Sequence, residues 1–301
     1  MKLPRQALVW SGMIVWGLMV MLLVVLIFFP YQKALKIAFQ NVLGGSKMIV
    51  SLEGAGLGFT TGQASMLRVG HAALEGKPLI EFRKLYVKWY PLSLLTGRLN
   101  VSAQAVAYDG AVECIIEGIP VIAAANPAMS VTFKNVNLAK YPEGTLPWFK
   151  GLSGSMSGRI FKQVPLSGPD KQKGSFRIAM TAGEITGLQV KNLENFILAY
   201  KEVVAEGKIA GSRIQLDRIF IEGDGLVLKG RGTIERGETE QRINLTLVCE
   251  SASDASPLPN GAVITVTGSQ WSPTIAISNE PAPQAEKTLA GGLSHETRPF
   301  L

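Results

Sequence analysis

The sequence predicts a mainly β protein that is held to a membrane by one N-terminal helix. Residues 7–29 form an apolar run without a charged side chain. Residues 46–278 then consist of short runs in which apolar and polar side chains alternate, separated by Gly, Pro, Asn and Asp. Alternation with a period of two is typical of half-buried strands. We therefore expect a transmembrane helix followed by a large curved antiparallel β-sheet, a meander with one or two short helices.

The apolar run has the length of a membrane-spanning helix. At about 1.5 Å per residue, such a helix crosses a hydrocarbon core of about 30 Å. A cleaved signal peptide has a shorter apolar core and ends in small residues, whereas Phe29, Pro30 and Tyr31 stand at this position. We expect residues 1–6 to be a cytoplasmic tail and residues 7–29 a single-pass helix in the inner membrane, with the bulk of the chain in the periplasm.

Other segments are assigned by their local patterns. Residues 30–45 have amphipathic spacing and predict a juxtamembrane helix, and residues 279–301 are poor in apolar side chains and predict a disordered tail. Residues 90–97 predict one helical turn between strands. Residues 192–204 have helical spacing, although a strand is also compatible with them. The expected sub-boundary of the β region lies near residues 141–147.

Two strands carry clean apolar faces. One follows the turn at 90–97, and the other lies near the end of the β region. Together they define a candidate apolar groove, whose residues are Leu99, Val101, Ala103, Ala105, Ile243, Leu245 and Leu247. Plain core packing explains the same alternation without any ligand. Between residues 79 and 89 the apolar side chains change parity, which predicts a bulge or bend.

The two cysteines, Cys114 and Cys249, leave two interpretations open. In an oxidising compartment they could form a disulfide that closes a long loop. Equally, each could be a small buried hydrophobic residue on its own strand. Their spacing fits no zinc pattern, and only His71 and His295 could assist.

The sequence contains no convincing catalytic constellation. The glycine-rich stretches at 151–159 and 223–232 lack the order of a phosphate-binding loop and predict turns or close strand packing. Glu113 and Glu117 are about 13 Å apart along one strand, too far for a glycosidase pair. We expect no enzyme activity, no cofactor and no metal. The net charge of +7 is spread along the chain, which does not favour nucleic-acid binding.

Several segments in a fixed order carry a resemblance to known families. They are FFPY (28–31), LIEFRKLYVKWYPLSLLTGRL (79–99), AYDGAVE (107–113), FKNVNL (133–138), LSGSMSGRI (152–160) and GKIAGSRIQLDRIFIEGDGLVLKGRGTI (207–234). In this order the chain resembles the type II secretion system protein N family, of the delta-proteobacterial variety, and more distantly the AsmA-like envelope proteins. The resemblance implies an inner-membrane protein with a periplasmic curved sheet of the AsmA-like, taco-shaped type.

Two functional hypotheses follow from this resemblance. The first is a non-enzymatic accessory of a type II secretion apparatus, whose β domain contacts other secretion components. The second is an AsmA-like module that binds or transfers phospholipid along the candidate groove. Exposed strand edges would serve the first by β-augmentation. An apolar row that lines an uncovered surface would favour the second.

Overall fold

The computed structural model describes residues 48–58, 60–71, 78–120, 126–142, 149–163, 171–190, 193–236, 241–252, 258–269 and 271–278. The expected transmembrane helix, juxtamembrane helix and C-terminal tail lie outside these residues. Within the described part of the chain, no helix combines the length and the hydropathy needed to cross a bilayer.

The described residues form sixteen strands and two short 3₁₀ helices. The strands are β1 Met48–Glu53, β2 Gly56–Leu57, β3 Thr61–His71, β4 Pro78–Tyr90, β5 Arg98–Ala107, β6 Gly110–Pro120, β7 Ala128–Asn137, β8 Gly151–Leu152, β9 Ser155–Gln163, β10 Lys173–Val190, β11 Leu193–Ala210, β12 Arg213–Gly223, β13 Leu226–Arg236, β14 Gln241–Ala252, β15 Val263–Ser269 and β16 Ser272–Ser278. The 3₁₀ helices are Pro91–Thr96 and Leu138–Lys140. The prediction of a mainly β, antiparallel fold is confirmed.

The chain divides into two units. The N-terminal unit holds the described residues up to Trp89 together with Ala103–Ala107, and the C-terminal unit holds Tyr90–Ser102 and the described residues from Tyr108 onward. The division therefore falls at residue 89 and within β5. The sequence placed a boundary near 141–147, where residues 143–148 lie outside the described part.

The N-terminal unit is built on the strand order β1-β3-β4, with β2 paired to β3. Its core contains Val50, Ala64, Leu67, Val69 and Leu85, and Ala103 and Ala105 of β5 pack against it. The expected parity change in β4 is present. Phe82 and Leu85 contact the same core because Lys84 between them has a φ of 52°.

The C-terminal unit has the strand order β6-β7-β9-β10-β11-β12-β13-β14-β15-β16, with β8 paired to β10. Neighbours are antiparallel, and most are joined by short turns. The sheet curls so far that Val190 of β10 meets Ile275 of β16 in a parallel bridge. The buried core lies at this end of the unit and includes Leu228, Cys249, Leu258 and Ala262.

The helical interpretation of residues 192–204 is wrong. Residues 193–204 lie in β11, the strand that the sequence also allowed, where Leu198 and Tyr200 are buried while Ile197 and Ala199 are exposed. Burial with a period of two arises because β11 pairs along its length with β10. The expected helical turn at 90–97 is present as the 3₁₀ helix Pro91–Thr96, which Gly97 ends with a φ of 72°.

Replacing Ala182 by glycine is expected to stabilise the folded protein. Ala182 lies inside β10 with a φ of 49°, a region that costs an alanine about 1–2 kcal/mol and a glycine almost nothing. We expect Ala182→Gly to raise the free energy of unfolding by about 0.5–1 kcal/mol. Urea unfolding followed by pulse proteolysis measures this change. The control Ala179→Gly, at a residue of β10 without positive φ, should lower the free energy of unfolding. If both substitutions changed this free energy in the same direction, backbone strain at Ala182 would be contradicted.

Candidate functional site

One row of cross-strand partners runs across the apolar face of the C-terminal unit, at the end opposite its buried core. The row passes from β6 to β15 through directly paired residues. We call it the mouth row, and its members in spatial order are Ile116, Met129, Lys162, Gly174, Ile209, Ile214, Ile234, Ile243 and Gly268. Because paired residues in a sheet point to the same face, the four consecutive isoleucines form one continuous apolar strip.

Burial increases from the mouth row into the unit. The four consecutive isoleucines of the mouth row, and Ile116 at its other end, are half-buried. Four residues beyond Ile243 on β14, Leu247 is buried, as is its partner Ile264. On the other side Leu247 pairs with Gly230, whose partner Ile219 is buried as well. The apolar face is therefore closed at the end near the turn 224–225 and partly open at the mouth row.

Glycines on this face make room for large side chains of neighbouring strands. A Cβ atom on Gly207 would lie 2.8 Å from the ring of Phe176, and one on Gly232 would lie 2.5 Å from Cδ2 of Leu245. The large side chains thus lie over the backbone of the adjacent strand. This arrangement gives the apolar face a filled interior behind the mouth row.

Lys162 is the single charged member of the mouth row. It is half-buried, and it makes no ion pair with any residue that the structure describes. Burial lowers the pKa of its ammonium group, and the positive charge of Arg236 lowers it further. Two positive charges at the rim, one of them on an apolar face, create a place where an anion is stabilised.

Other basic side chains surround the mouth row at the same strand ends. They are Arg98, Lys171, Lys173, Lys208, Arg213 and Arg242, against the acidic Glu117, Asp217 and Glu235, and Lys208 pairs with Asp217 at 3.9 Å. Arg213 is paired with Glu235 at 3.6 Å, and both side chains are exposed. The rim of the mouth is therefore net positive, and its field reaches about one Debye length into solvent.

The candidate groove residues are found in two places. Ile243 belongs to the mouth row, Leu245 is half-buried behind it, and Leu247 is buried in the core. The residues of β5 are divided between the units. Leu99 and Val101 are half-buried in the C-terminal unit, whereas Ala103 and Ala105 pack against the N-terminal core. The row along β14 thus runs from an open end to a closed core.

Both cysteines are free, so the disulfide that the sequence left open is not present. Cys114 is half-buried on β6 and Cys249 is 1% exposed on β14. Burial raises the pKa of both thiols, which makes them poor nucleophiles near neutral pH. The strands that carry them, β6 and β14, are far apart in the sheet order, so the two thiols do not meet. Each cysteine is instead a small hydrophobic residue on the apolar face.

A second surface of the C-terminal unit contains a cavity. The cavity, of about 370 Å³, is lined by Arg159, Phe161, Ser175, Phe176 and Arg177. Its guanidinium groups are already engaged within the protein, because Arg177 pairs with Glu206 and the other donates to the hydroxyl of Ser130. This cavity therefore shows less free charge than the mouth row.

In the described part of the chain, the His, Cys, Asp and Glu side chains are dispersed. No group of His, Cys, Asp and Glu side chains there is arranged to hold a metal ion. Glu113 and Glu117 are both exposed on β6. The sequence analysis did not identify Lys162 or the isoleucines other than Ile243 as site residues. The isoleucines could have been found because each strand from β11 to β14 has an isoleucine near the same end.

The chain was compared with family models, curated proteins and solved structures, and none of the three gave a match.

Proposed function

We propose that the protein is an envelope lipid-binding module that holds an anionic phospholipid at the mouth of its C-terminal unit. The observation that carries this proposal is the mouth row, an apolar strip of four isoleucines in cross-strand register beside one half-buried lysine. The sequence resemblance to AsmA-like proteins supports the same assignment, as does the apolar run at residues 7–29, which would anchor the module in the inner membrane with its β domain in the periplasm.

The apolar strip fits acyl chains. Each methylene group that leaves water for an apolar surface contributes about 0.8 kcal/mol. The half-buried isoleucines still expose part of their side chains. Gly174 and Gly268, which flank the strip, have no side chain that would block an acyl chain there. An acyl chain laid along this strip covers the exposed methyl groups without displacing a polar contact.

The charges at the rim fit the head group. The charge of Arg236 adds to the positive potential at Lys162, and a phosphate bound to Lys162 would offset that potential. A phosphodiester group on Lys162 would also restore the charge neutrality that burial of an ammonium group requires. Acyl chains and an anionic head group together define a phospholipid.

Photocrosslinking tests the proposal in the full chain in its membrane. The photoreactive amino acid p-benzoylphenylalanine is placed at Ile214 in one variant and at Gln215 in the other, in Gram-negative cells grown with ³²P-phosphate. Ile214 lies in the mouth row, whereas Gln215 is exposed on the opposite face of the same strand. We expect a ³²P-labelled lipid adduct at position 214 and none at 215. Equal labelling, or no labelling at either position, would contradict the proposal.

The substitution Lys162→Met is expected to weaken the binding of anionic lipid and to stabilise the ligand-free fold. Without the ammonium group, the fraction of phosphatidylglycerol among crosslinked lipids should fall several-fold. The ligand-free fold should become more stable near neutral pH, because folding opposes protonation of Lys162. The unfolded chain binds the proton more tightly, so this stability difference should narrow as the pH rises toward about 10.4, the ordinary pKa of lysine. A constant difference would assign the gain to packing alone.

A second candidate is the accessory role in a type II secretion apparatus. The supporting observation is the strand β1, which pairs with β3 alone among the described strands and exposes 51% of Ile49. Such an edge can accept a strand from a protein partner. With p-benzoylphenylalanine at Ile49, adducts with secretion components would support this role, whereas the lipid proposal expects no ³²P-lipid adduct there.

A further inference from the structure

An exposed leucine cluster stands at the start of β5. The 3₁₀ helix Pro91–Thr96 buries none of its residues. Leu92 is 78% exposed, Leu95 is 85% exposed and Leu94 is 41% exposed. We call these three residues the leucine knob. Single exposed leucines are common on protein surfaces, but three within four positions form an apolar protrusion with water on its outer side.

The backbone under the knob is held rigid. The hydroxyl of Ser93 donates to the carbonyl of Tyr90 at 2.5 Å and accepts from the amide of Asn100 at 3.1 Å. Thr96 Oγ1 donates to the carbonyl of Ser93, and the amide of Gly97 donates to the carbonyl of Leu94. The leucines are thus presented on a preformed turn, so an encounter with an apolar phase costs little further ordering of the backbone.

The knob and the mouth row are at the same end of the C-terminal unit. The start of β5 is tied to the end of β6, because Asn100 Oδ1 accepts from the amide of Gly118 at 2.8 Å. Ile116 of the mouth row lies two residues before that glycine on the same strand. The sheet pairing then carries this end across to the isoleucines of β11 to β14.

The charges near the knob complement an anionic surface. From Arg83 to Tyr108 the chain contains no acidic residue, while it contains Lys88 and Arg98 on either side of the knob. The basic residues of the mouth rim lie at the same strand ends. Each Lys or Arg near an anionic bilayer contributes attraction that falls off within a Debye length.

We propose that the leucine knob inserts into an anionic lipid bilayer and places the mouth end of the C-terminal unit against the membrane surface. Two features support this contact: an apolar protrusion on a hydrogen-bonded turn, and a net positive rim at the same end. Leucines at interfacial depth with basic side chains at the head groups are the arrangement that peripheral membrane contacts use. The proposed partner of the knob is the lipid bilayer. The test below distinguishes it from a protein partner.

Spin labelling of the full chain in proteoliposomes tests this contact. In a background carrying Cys114→Ala and Cys249→Ala, one variant carries a nitroxide at Leu95→Cys and a control carries it at Asp224→Cys. Asp224 is in the turn at the opposite end of the unit, with 84% of its side chain exposed. The vesicles are phosphatidylcholine with or without phosphatidylglycerol. Accessibility to oxygen and to a nickel chelate reports the depth of each label.

We expect the label at position 95 to be accessible to oxygen and shielded from nickel in vesicles containing phosphatidylglycerol, and the label at position 224 to remain aqueous. Adding Leu92→Asn should lower the ratio of inserted to aqueous label at position 95 about tenfold, because one leucine no longer leaves water. High salt should lower the same ratio. An aqueous label at position 95 in every vesicle would overturn the proposal. The same label is then recorded in native membranes, where its immobilisation would assign the knob to a protein partner.

Discussion

Replacing Ile234 by glutamate is expected to reduce phospholipid crosslinking at the neighbouring position 243 more than tenfold. Ile234 is paired with Ile214 on one side and with Ile243 on the other, so it lies at the centre of the isoleucine strip. A carboxylate there must be desolvated by an acyl chain, which costs several kcal/mol. The same carboxylate also repels an anionic head group held at Lys162.

The matched control is Ile234→Val, which removes one methyl group and keeps the strip apolar. It should retain most of the crosslinking, since the lost methylene accounts for about 0.8 kcal/mol. Because Ile234 is half-buried, glutamate there should leave the chain folded, and pulse proteolysis in urea verifies this for both variants. Unchanged ³²P-lipid labelling of a folded Ile234→Glu variant would remove the mouth row from the proposed function.

Substitution of Gly207 by alanine is expected to lower the free energy of unfolding by about 3 kcal/mol. Its Cβ atom would lie 2.0 Å from the carbonyl oxygen of Gln215 and 2.8 Å from the ring of Phe176. The first contact is with the backbone of the paired strand and cannot be relieved by a rotamer change. The strands β11 and β12 must therefore separate locally, next to the register shift at Glu206–Gly207.

A glycine with ordinary surroundings serves as the control for this substitution. The Cβ atom of an alanine at Gly56 would lie 3.5 Å from the side chain of Gln63, a normal van der Waals distance. Gly56→Ala should change the free energy of unfolding by less than about 1 kcal/mol. Urea titrations of both variants, read by circular dichroism and by protease resistance, make the comparison. Similar changes in the free energy of unfolding for the two variants would mean that the sheet at Gly207 accommodates a Cβ atom without losing stability.

The strands could be predicted from alternation because most of them have one buried face. Residues 192–204 show where local pattern fails. The apolar side chains of this segment fit helical spacing as well as a strand, and the choice is made by pairing with β10, in which Gly183 meets Tyr200 and Leu188 meets Phe196. A partner strand supplies backbone hydrogen bonds that no local pattern in the segment itself reveals.

The site was predicted in part, through Ile243 and its neighbours on β14. The mouth row as a whole depends on the register of eight strand pairings, and each register is fixed by turns and bulges. Register shifts at Glu206–Gly207 and between Leu216 and Ile219 change which residues share a face, so counting along the sequence does not lead from Ile243 to Lys162. The lysine itself stood in the sequence as one more basic residue of a strand.

The order of the strands has a consequence for how the chain reaches its structure. In the C-terminal unit each long strand pairs with the one just before it, so the loops to be closed are short and the contact order of these pairings is low. A chain that emerges N-terminus first can add one strand at a time to an existing edge. The bridge between Val190 and Ile275 joins residues far apart in sequence and can form only after β16 is available. In such a chain this bridge forms after the strand pairings that precede it, and until β16 is added the edge of β15 stays open to other strands.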